Sequence, residues 1–118
     1  MEKFTQGEWK ILPFEEDREY IRIRGTALSR RYKIANVIDL KRHHDDSKWC
    51  RREREESIAN ANLITAAPKM YKALKDLVEN IKNVDNYQAE LDLIDQVIGI
   101  EIDVDKIESL LAEARGEK

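Results

Sequence analysis

One short alternating stretch decides the fold, Tyr20-Ile21-Arg22-Ile23-Arg24. The strict alternation places the two isoleucines on one face of a β-strand and the tyrosine and arginines on the other face. A short strand is predicted before it, within 8–14, because Pro13 lacks an amide donor and suits a strand end or edge. A third strand is predicted over 32–40, after a connection that begins at Gly25. These segments predict an antiparallel meander.

A helical pattern follows the strands. Residues 49–67 contain good helix formers without Gly or Pro, and Ile58, Ala61 and Ile64 recur at helical spacing. Pro68 predicts a break or kink, since its ring cannot continue the preceding hydrogen-bond ladder. A second helix is predicted beyond it. Its apolar face comprises Met70, Leu74, Leu77 and Ile81, widened by Tyr71 and Val78.

The end of the chain predicts further helical structure. The segment 85–103 fits a helix followed by a short extended piece, and Asp105-Lys106-Ile107-Glu108 resembles a capping box that opens a last helix. Gly116 is predicted to be the C-terminal cap of that helix. The sequence therefore predicts an α+β fold, with a small N-terminal antiparallel sheet of about three strands packed against C-terminal helices.

The length of the chain and the distribution of charge along it indicate its domain organisation. Its 118 residues suit a single domain, with a strand-rich basic part at 1–45 and a helical acidic part at 46–118. Between Arg18 and Arg54 there are twelve Lys or Arg and five Asp or Glu. From Ala61 onward there are seven Lys or Arg and twelve Asp or Glu. Such a division predicts a dipolar field that draws anionic ligands to the front half. The alternative is a solvated strand face with ordinary surface charge.

Cellular location is predicted from what the sequence lacks. A single cysteine, Cys50, excludes an intrachain disulfide framework, and the N-terminal residues contain no apolar stretch typical of a signal peptide. No apolar run approaches the roughly 20 residues that a membrane helix needs. We therefore expect a cytoplasmic protein that does not enter a membrane.

No catalytic constellation is recognisable. His43-His44 stands beside Asp45-Asp46, but adjacent residues in an extended loop point apart and no further histidine could complete a metal site. Cys50 lacks an identifiable base, and the four glycines are too scattered to form a phosphate-binding loop. We predict no catalytic residues, no metal and no cofactor, and catalysis is the weaker functional class.

A set of cations on or near the strands has the most functional promise. The set comprises Arg22, Arg24, Arg30, Arg31, Lys33, Arg42, Lys48, Arg51 and Arg52. Arginine suits bidentate contacts to phosphate, and Tyr20, Tyr32 or Trp49 could stack on a base. Alternatively, these are ordinary surface charges that Glu53, Glu55 and Glu56 neutralise along the helix.

A run in the helical part, Glu56-Ser57-Ile58-Ala59-Asn60-Ala61-Asn62-Leu63-Ile64-Thr65-Ala66-Ala67-Pro68, is followed by Ala73-Leu74, and Gly7-Glu8-Trp9 lies near the start. In these features the chain resembles small phage-encoded proteins of mostly unassigned function, which share Glu-x-x-Ala-Asn-Ala-x-Leu-Ile-x-x-Ala-Pro and often Gly-x-Trp. Asn60 and Asn62 are poor helix formers whose amides need partners if buried. They are either anchors to the sheet, which we favour, or ligand contacts.

The resemblance implies a phage accessory protein, and such proteins often counter host defence. Some sequester nucleotide-derived immune signals and others bind a host effector. Our leading hypothesis is a non-enzymatic homo-oligomer in the cytoplasm of the infected host that binds a small anionic nucleotide signal. Its ligand-binding residues would be Arg22, Arg24, Arg30, Arg31, Lys33, Trp49, Arg51, Asn60 and Asn62. One alternative is a protein-binding inhibitor or interaction module in which 87–104 docks on a host protein or mediates self-association. Another is a nucleic-acid-binding protein.

Overall fold

The structure is a computed structural model that describes residues 2–15, 19–26, 32–38 and 48–117. Three strands precede three helices along the chain. This order confirms the predicted α+β class, with the sheet in the first part of the chain and the helices in the second. The polar segment with His43 and His44 lies outside the described residues.

The sheet consists of β1 (Trp9–Ile11), β2 (Tyr20–Gly25) and β3 (Tyr32–Ile38) in that spatial order. Both neighbouring pairs are antiparallel, so the predicted meander is confirmed. The register shifts between Ile23 and Arg24, which leaves Ile34 as the extra residue of a β-bulge on β3.

Residues Phe4–Lys69 form one compact unit. In this unit the sheet packs through the isoleucines of β2. Ile21 and Ile23 are buried together with Ala61 of helix α1 (Lys48–Lys82), and Ile58 and Ile64 pack against them. The predicted helical spacing of these α1 residues and the predicted inward face of β2 are confirmed. A small alanine at the centre allows the helix backbone to come close to the sheet.

Helix α1 continues through Pro68, and the predicted separation into two helices is wrong. An interior proline removes one backbone hydrogen bond and costs about 3 kcal/mol relative to alanine. Packing fixes the helix on both sides of this position, since Ala61 is buried before it and Tyr71 and Val78 after it. Tertiary contacts supply most of the stability of a protein helix, so they can outweigh one such defect.

A second unit comprises Met1–Lys3 and Met70–Lys118, and the single-domain organisation stays a prediction. Besides the end of α1 it contains α2 (Tyr87–Ile98) and α3 (Val104–Ala114). Its buried apolar residues are Tyr71, Val78, Leu91, Val104 and Leu111.

The inward face of α1 in this unit differs from the predicted one. Met70 and Leu77 are exposed, while Tyr71 and Val78, predicted at its margin, are buried. The hydroxyl of Tyr71 accepts a hydrogen bond of 2.9 Å from Arg115 Nη1, which helps to fix this rotation. Helical periodicity alone cannot show which of two adjacent apolar columns of α1 faces inward, because this depends on the helices that pack against α1.

Helix α2 ends at Gly99, whose φ of 70° is left-handed and whose N–H donates to the Asp95 carbonyl at 2.8 Å. Residues 100–103 then lie outside regular structure, which fits the predicted non-helical piece before α3. Asp103 caps α3, because its Oδ1 accepts the Lys106 N–H at 3.0 Å. The predicted cap at Asp105 is therefore wrong by two residues, since both aspartates precede helix formers and only the backbone turn selects one.

The predicted cap at Gly116 is confirmed. Gly116 has a φ of 81°, and its N–H donates to the carbonyl of Glu113 at 3.0 Å. The Glu117 N–H donates to the carbonyl of Ala112 at 2.9 Å. This pair of bonds is the Schellman arrangement, which needs a left-handed residue that glycine adopts without strain.

Candidate anion-binding site

The outer face of the sheet carries the strand cations. Successive side chains of a strand point to opposite faces, so Arg22 and Arg24 lie on the side away from Ile21 and Ile23. Arg22 is paired with Asn36 of β3 in the strand register. The predicted separation of the β2 side chains into an apolar and a cationic face is thus confirmed.

Three cations form one row across the three strands. Lys10 of β1 is the register partner of Arg24 on β2, and Arg24 is the partner of Lys33 on β3. Neighbouring strands lie about 4.8 Å apart, and like charges directly opposite one another destabilise a sheet. Lys10 and Lys33 are exposed at the two ends of the row. We call Lys10, Arg24 and Lys33 the cation row.

Arg24 is the buried centre of the cation row, with 9% of its surface exposed. Its Nη1 donates to the carbonyls of Ile23 at 2.9 Å and Ala35 at 3.1 Å, and to Asn36 Oδ1 at 3.0 Å. All three acceptors are neutral. No carboxylate within the described segments pairs with Arg24, so those segments leave its charge without a counterion.

Arg22 differs from Arg24 because it has an anionic partner. Its Nη2 lies 2.7 Å from Glu15 Oε1 and donates to the Pro13 carbonyl at 3.2 Å. The guanidinium is therefore held by the chain that precedes β2. This makes Arg22 a weaker candidate for ligand contact than the residues of the cation row.

The carboxylate nearest to Lys10 only partly neutralises the row. Lys10 Nζ lies 3.8 Å from Glu8 Oε2, and the other oxygen of Glu8 lies 3.6 Å from Lys69 Nζ. One negative charge is thus shared by two lysines. All three side chains are about half exposed or more, and exposed ion pairs of this kind contribute little stability. An incoming anion can compete with Glu8.

The α1 residues of the predicted ligand set lie apart from the cation row. Arg51, Asn60 and Asn62 are exposed on α1, and the α1 face centred on Ala61 covers the inner face of the sheet. The cation row is on the outer face. The predicted residues therefore form two groups separated by the sheet.

The two asparagines do not serve as the expected anchors. Both amides are exposed, and neither donates to a strand residue that the structure describes. Successive helix residues are rotated by about 100°, so burial of Ala61 turns both of its neighbours aside. The favoured interpretation of Asn60 and Asn62 as anchors to the described strands is therefore wrong.

Several predicted residues lie beyond what the structure describes. Arg30, Arg31 and Arg42 are outside the described ranges. Trp49 and Cys50 belong to the first turn of α1, but their side chains are not described.

Lys10 is a candidate that is absent from the predicted set. Its position between Trp9 and Ile11 already indicates that it points away from the apolar face. The strand register that places it beside Arg24 is a long-range property, so the sequence alone could not add it to the row. Across the described ranges, no group of three or more His, Cys, Asp or Glu side chains could hold a metal ion.

The three-stranded meander, its covering helix and its cationic outer face define a small α+β protein with a candidate site for an anion. The family model described as Salmonella phage P22 protein Y8K6 matches residues 1–118, so the chain belongs to this family of small phage-encoded proteins. The phage origin agrees with the resemblance found in the sequence. Comparison with curated proteins and with solved structures found no match. Among the described residues, no helix is long and apolar enough to cross a membrane.

Proposed function

We propose that this phage protein binds a small anionic, nucleotide-derived signal of the host on the outer face of its sheet, and counters host defence by sequestering it without catalysing a reaction. The observation that carries the proposal is the cation row, Lys10, Arg24 and Lys33, aligned across three strands. Three adjacent cations repel one another in the free protein. A bound phosphate would remove that repulsion, which favours binding.

The geometry of Arg24 supports a phosphate as the ligand. All of its hydrogen bonds to described residues use Nη1, Nε and Nη2 have the planar fork geometry that matches phosphate, and 9% of the residue is exposed. The guanidinium is already held in place by three acceptors. A preorganised donor loses little conformational freedom when the ligand binds.

An aromatic side chain lies on the same face as the cation row. Tyr20 occupies the same face of β2 as Arg24, four residues and about 13 Å along the strand. Stacking on an aromatic ring is tolerant of base identity and contributes about 1 to 3 kcal/mol. A ligand that contacts both Arg24 and Tyr20 would have to span this distance, which needs more than one linked nucleotide.

Calorimetry and native mass spectrometry with cyclic and linear nucleotides test the proposal. We expect stoichiometric retention of at least one nucleotide, and an affinity at least about tenfold lower for Lys10→Ala with Lys33→Ala. The matched control is Lys72→Ala with Lys106→Ala, which removes two exposed lysines elsewhere and the same net charge. Arg24→Ala is unsuitable here, because its loss would also disturb the sheet.

Three results would contradict this function. Retention of no nucleotide would exclude it, and so would equal affinities for the two double variants. Binding of a single-stranded oligonucleotide of about 20 residues, with a steep salt dependence and without retention of small nucleotides, would instead support nucleic-acid binding.

A further inference from the structure

Helix α2 presents most of its apolar side chains to solvent. Leu93, Val97 and Ile98 are 54%, 71% and 61% exposed, and Ile94 is 37% exposed. Leu91 is the buried apolar residue of this helix. Leu93, Ile94, Val97 and Ile98 fall on adjoining turns of one side, and we call them the α2 face. Exposed apolar patches of this kind mark interaction sites.

The chain segment that carries the α2 face is acidic. No Lys or Arg occurs between Lys82 and Lys106, whereas this interval contains seven Asp or Glu. A cleft of about 320 Å³ lies between α2 and the segment 101–105. Its acidic lining residues are Asp92, Asp95, Glu101, Asp103 and Asp105.

We propose that the α2 face binds a host protein through a cationic amphipathic helix of that protein. An apolar ridge two turns long on one helix packs against the apolar stripe of another helix. Lysines or arginines that flank the partner's stripe would lie against the acidic border and the cleft beside α2. Complementary charge of this kind accelerates association and excludes partners of the wrong sign.

The same charges disfavour a second copy on this face. Two copies that meet through α2 would bring two acidic segments together, because the interval between Lys82 and Lys106 contains no base in either copy. Like charges across an interface cost several kcal/mol. The proposal does not depend on nucleotide binding, because the cation row and the α2 face have no residue in common.

The first experiment uses the full chain and a synthetic peptide of about 18 residues, or five helical turns, with leucines along one side and lysines elsewhere. We expect saturable binding by fluorescence anisotropy. A peptide of identical composition, scrambled to destroy the apolar stripe, should bind at least about tenfold more weakly, and one with glutamate in place of lysine should not bind. Equal binding of the scrambled peptide would overturn the proposal, because charge alone would then explain the affinity.

The second experiment locates the site. Leu93→Ser with Val97→Ser should weaken peptide binding at least about tenfold, whereas the control Leu63→Ser with Leu77→Ser should leave it unchanged. Leu63 and Leu77 are also exposed leucines, but they belong to α1. Equal loss in both variants would overturn the assignment. So would a wild-type dimer in sedimentation that only Leu93→Ser with Val97→Ser dissociates, since a second copy would then cover the α2 face.

Discussion

Arg24 Nη1 donates a hydrogen bond of 3.0 Å to Asn36 Oδ1 across β2 and β3, although the two residues are not register partners. Arg24 is opposite Lys33, and Asn36 is opposite Arg22. The bond is therefore diagonal, spanning the β-bulge at Ile34. It fixes the centre of the cation row, so the bulge contributes directly to the geometry of the candidate site.

Removal of the Arg24 side chain should destabilise the sheet. Arg24→Ala deletes three hydrogen bonds and leaves carbonyl and amide acceptors without their donor, which should lower the free energy of unfolding by about 1 to 3 kcal/mol. Urea denaturation measures this loss, with Arg51→Ala as the exposed control. A double-mutant cycle with Asn36→Ala should give a coupling of about 0.5 to 1.5 kcal/mol. A coupling near zero would show that the diagonal bond does not stabilise the sheet.

Enlargement of Ala61 should disrupt the contact between α1 and the sheet. Ala61→Leu adds three carbon atoms where Ala61 is fully buried against Ile21 and Ile23, and overpacking costs about 1 to 3 kcal/mol. Ala59→Leu is the matched control, since Ala59 is exposed on the same helix and alanine and leucine have similar helix propensities. Thermal unfolding measures both variants. Equal melting temperatures would mean that the core can rearrange to accept leucine.

Replacement of Pro68 should stabilise α1. Pro68→Ala restores an N–H that can donate to the carbonyl of Ile64, whereas the added freedom of the unfolded chain opposes this gain by up to about 1 kcal/mol. We expect a net rise of about 1 to 2 kcal/mol in the free energy of unfolding, measured by urea denaturation. Pro13→Ala, outside the helices, is the control and should not raise stability. A loss in Pro68→Ala would indicate that packing of the proline ring outweighs the missing bond.

The ion pair between Glu2 and Lys75, with Oε1 and Nζ 2.8 Å apart, should make stability depend on pH. The hydrogen bond from Lys75 lowers the pKa of Glu2 from 4.5 to about 2, and the same bond raises the pKa of Lys75 above 10.5. The lowered carboxyl pKa gives stability that is present above about pH 4.5 and lost as the pH falls towards 2. The raised amine pKa gives stability that is present below pH 10.5 and lost above it.

The stability of Glu2→Gln, compared with that of the wild type, checks this dependence on pH. The variant should be less stable near pH 7, and the difference should disappear as the pH falls through the lowered pKa of Glu2, at about 2. Denaturation at several pH values measures the difference, with Glu113→Gln as an exposed control. A difference that is the same at pH 7 and at acid pH would mean that the charge of Glu2 is not responsible.

Local sequence patterns predicted the structure correctly where a single residue or a single hydrophobic period determines it. The alternation at 20–24 predicts which isoleucines are buried, and Gly116 predicts the end of α3. They did not predict the structure where the sequence is compatible with two local conformations. Either of two apolar columns on α1 could face inward, and tertiary contacts selected the one with Tyr71 and Val78. Either of two aspartates could cap α3, and the backbone turn selected Asp103.

For the candidate site, the sequence by itself determined that Arg22 and Arg24 share one face of a strand, because the period of a strand is fixed by backbone geometry. Only the tertiary structure decided that Glu15 holds Arg22, and that Lys10 and Lys33 align with Arg24. Strand register and ion pairs join residues that are distant in the chain, and their energies depend on which strands meet and where the bulge falls. Those conditions exist only once the chain has folded.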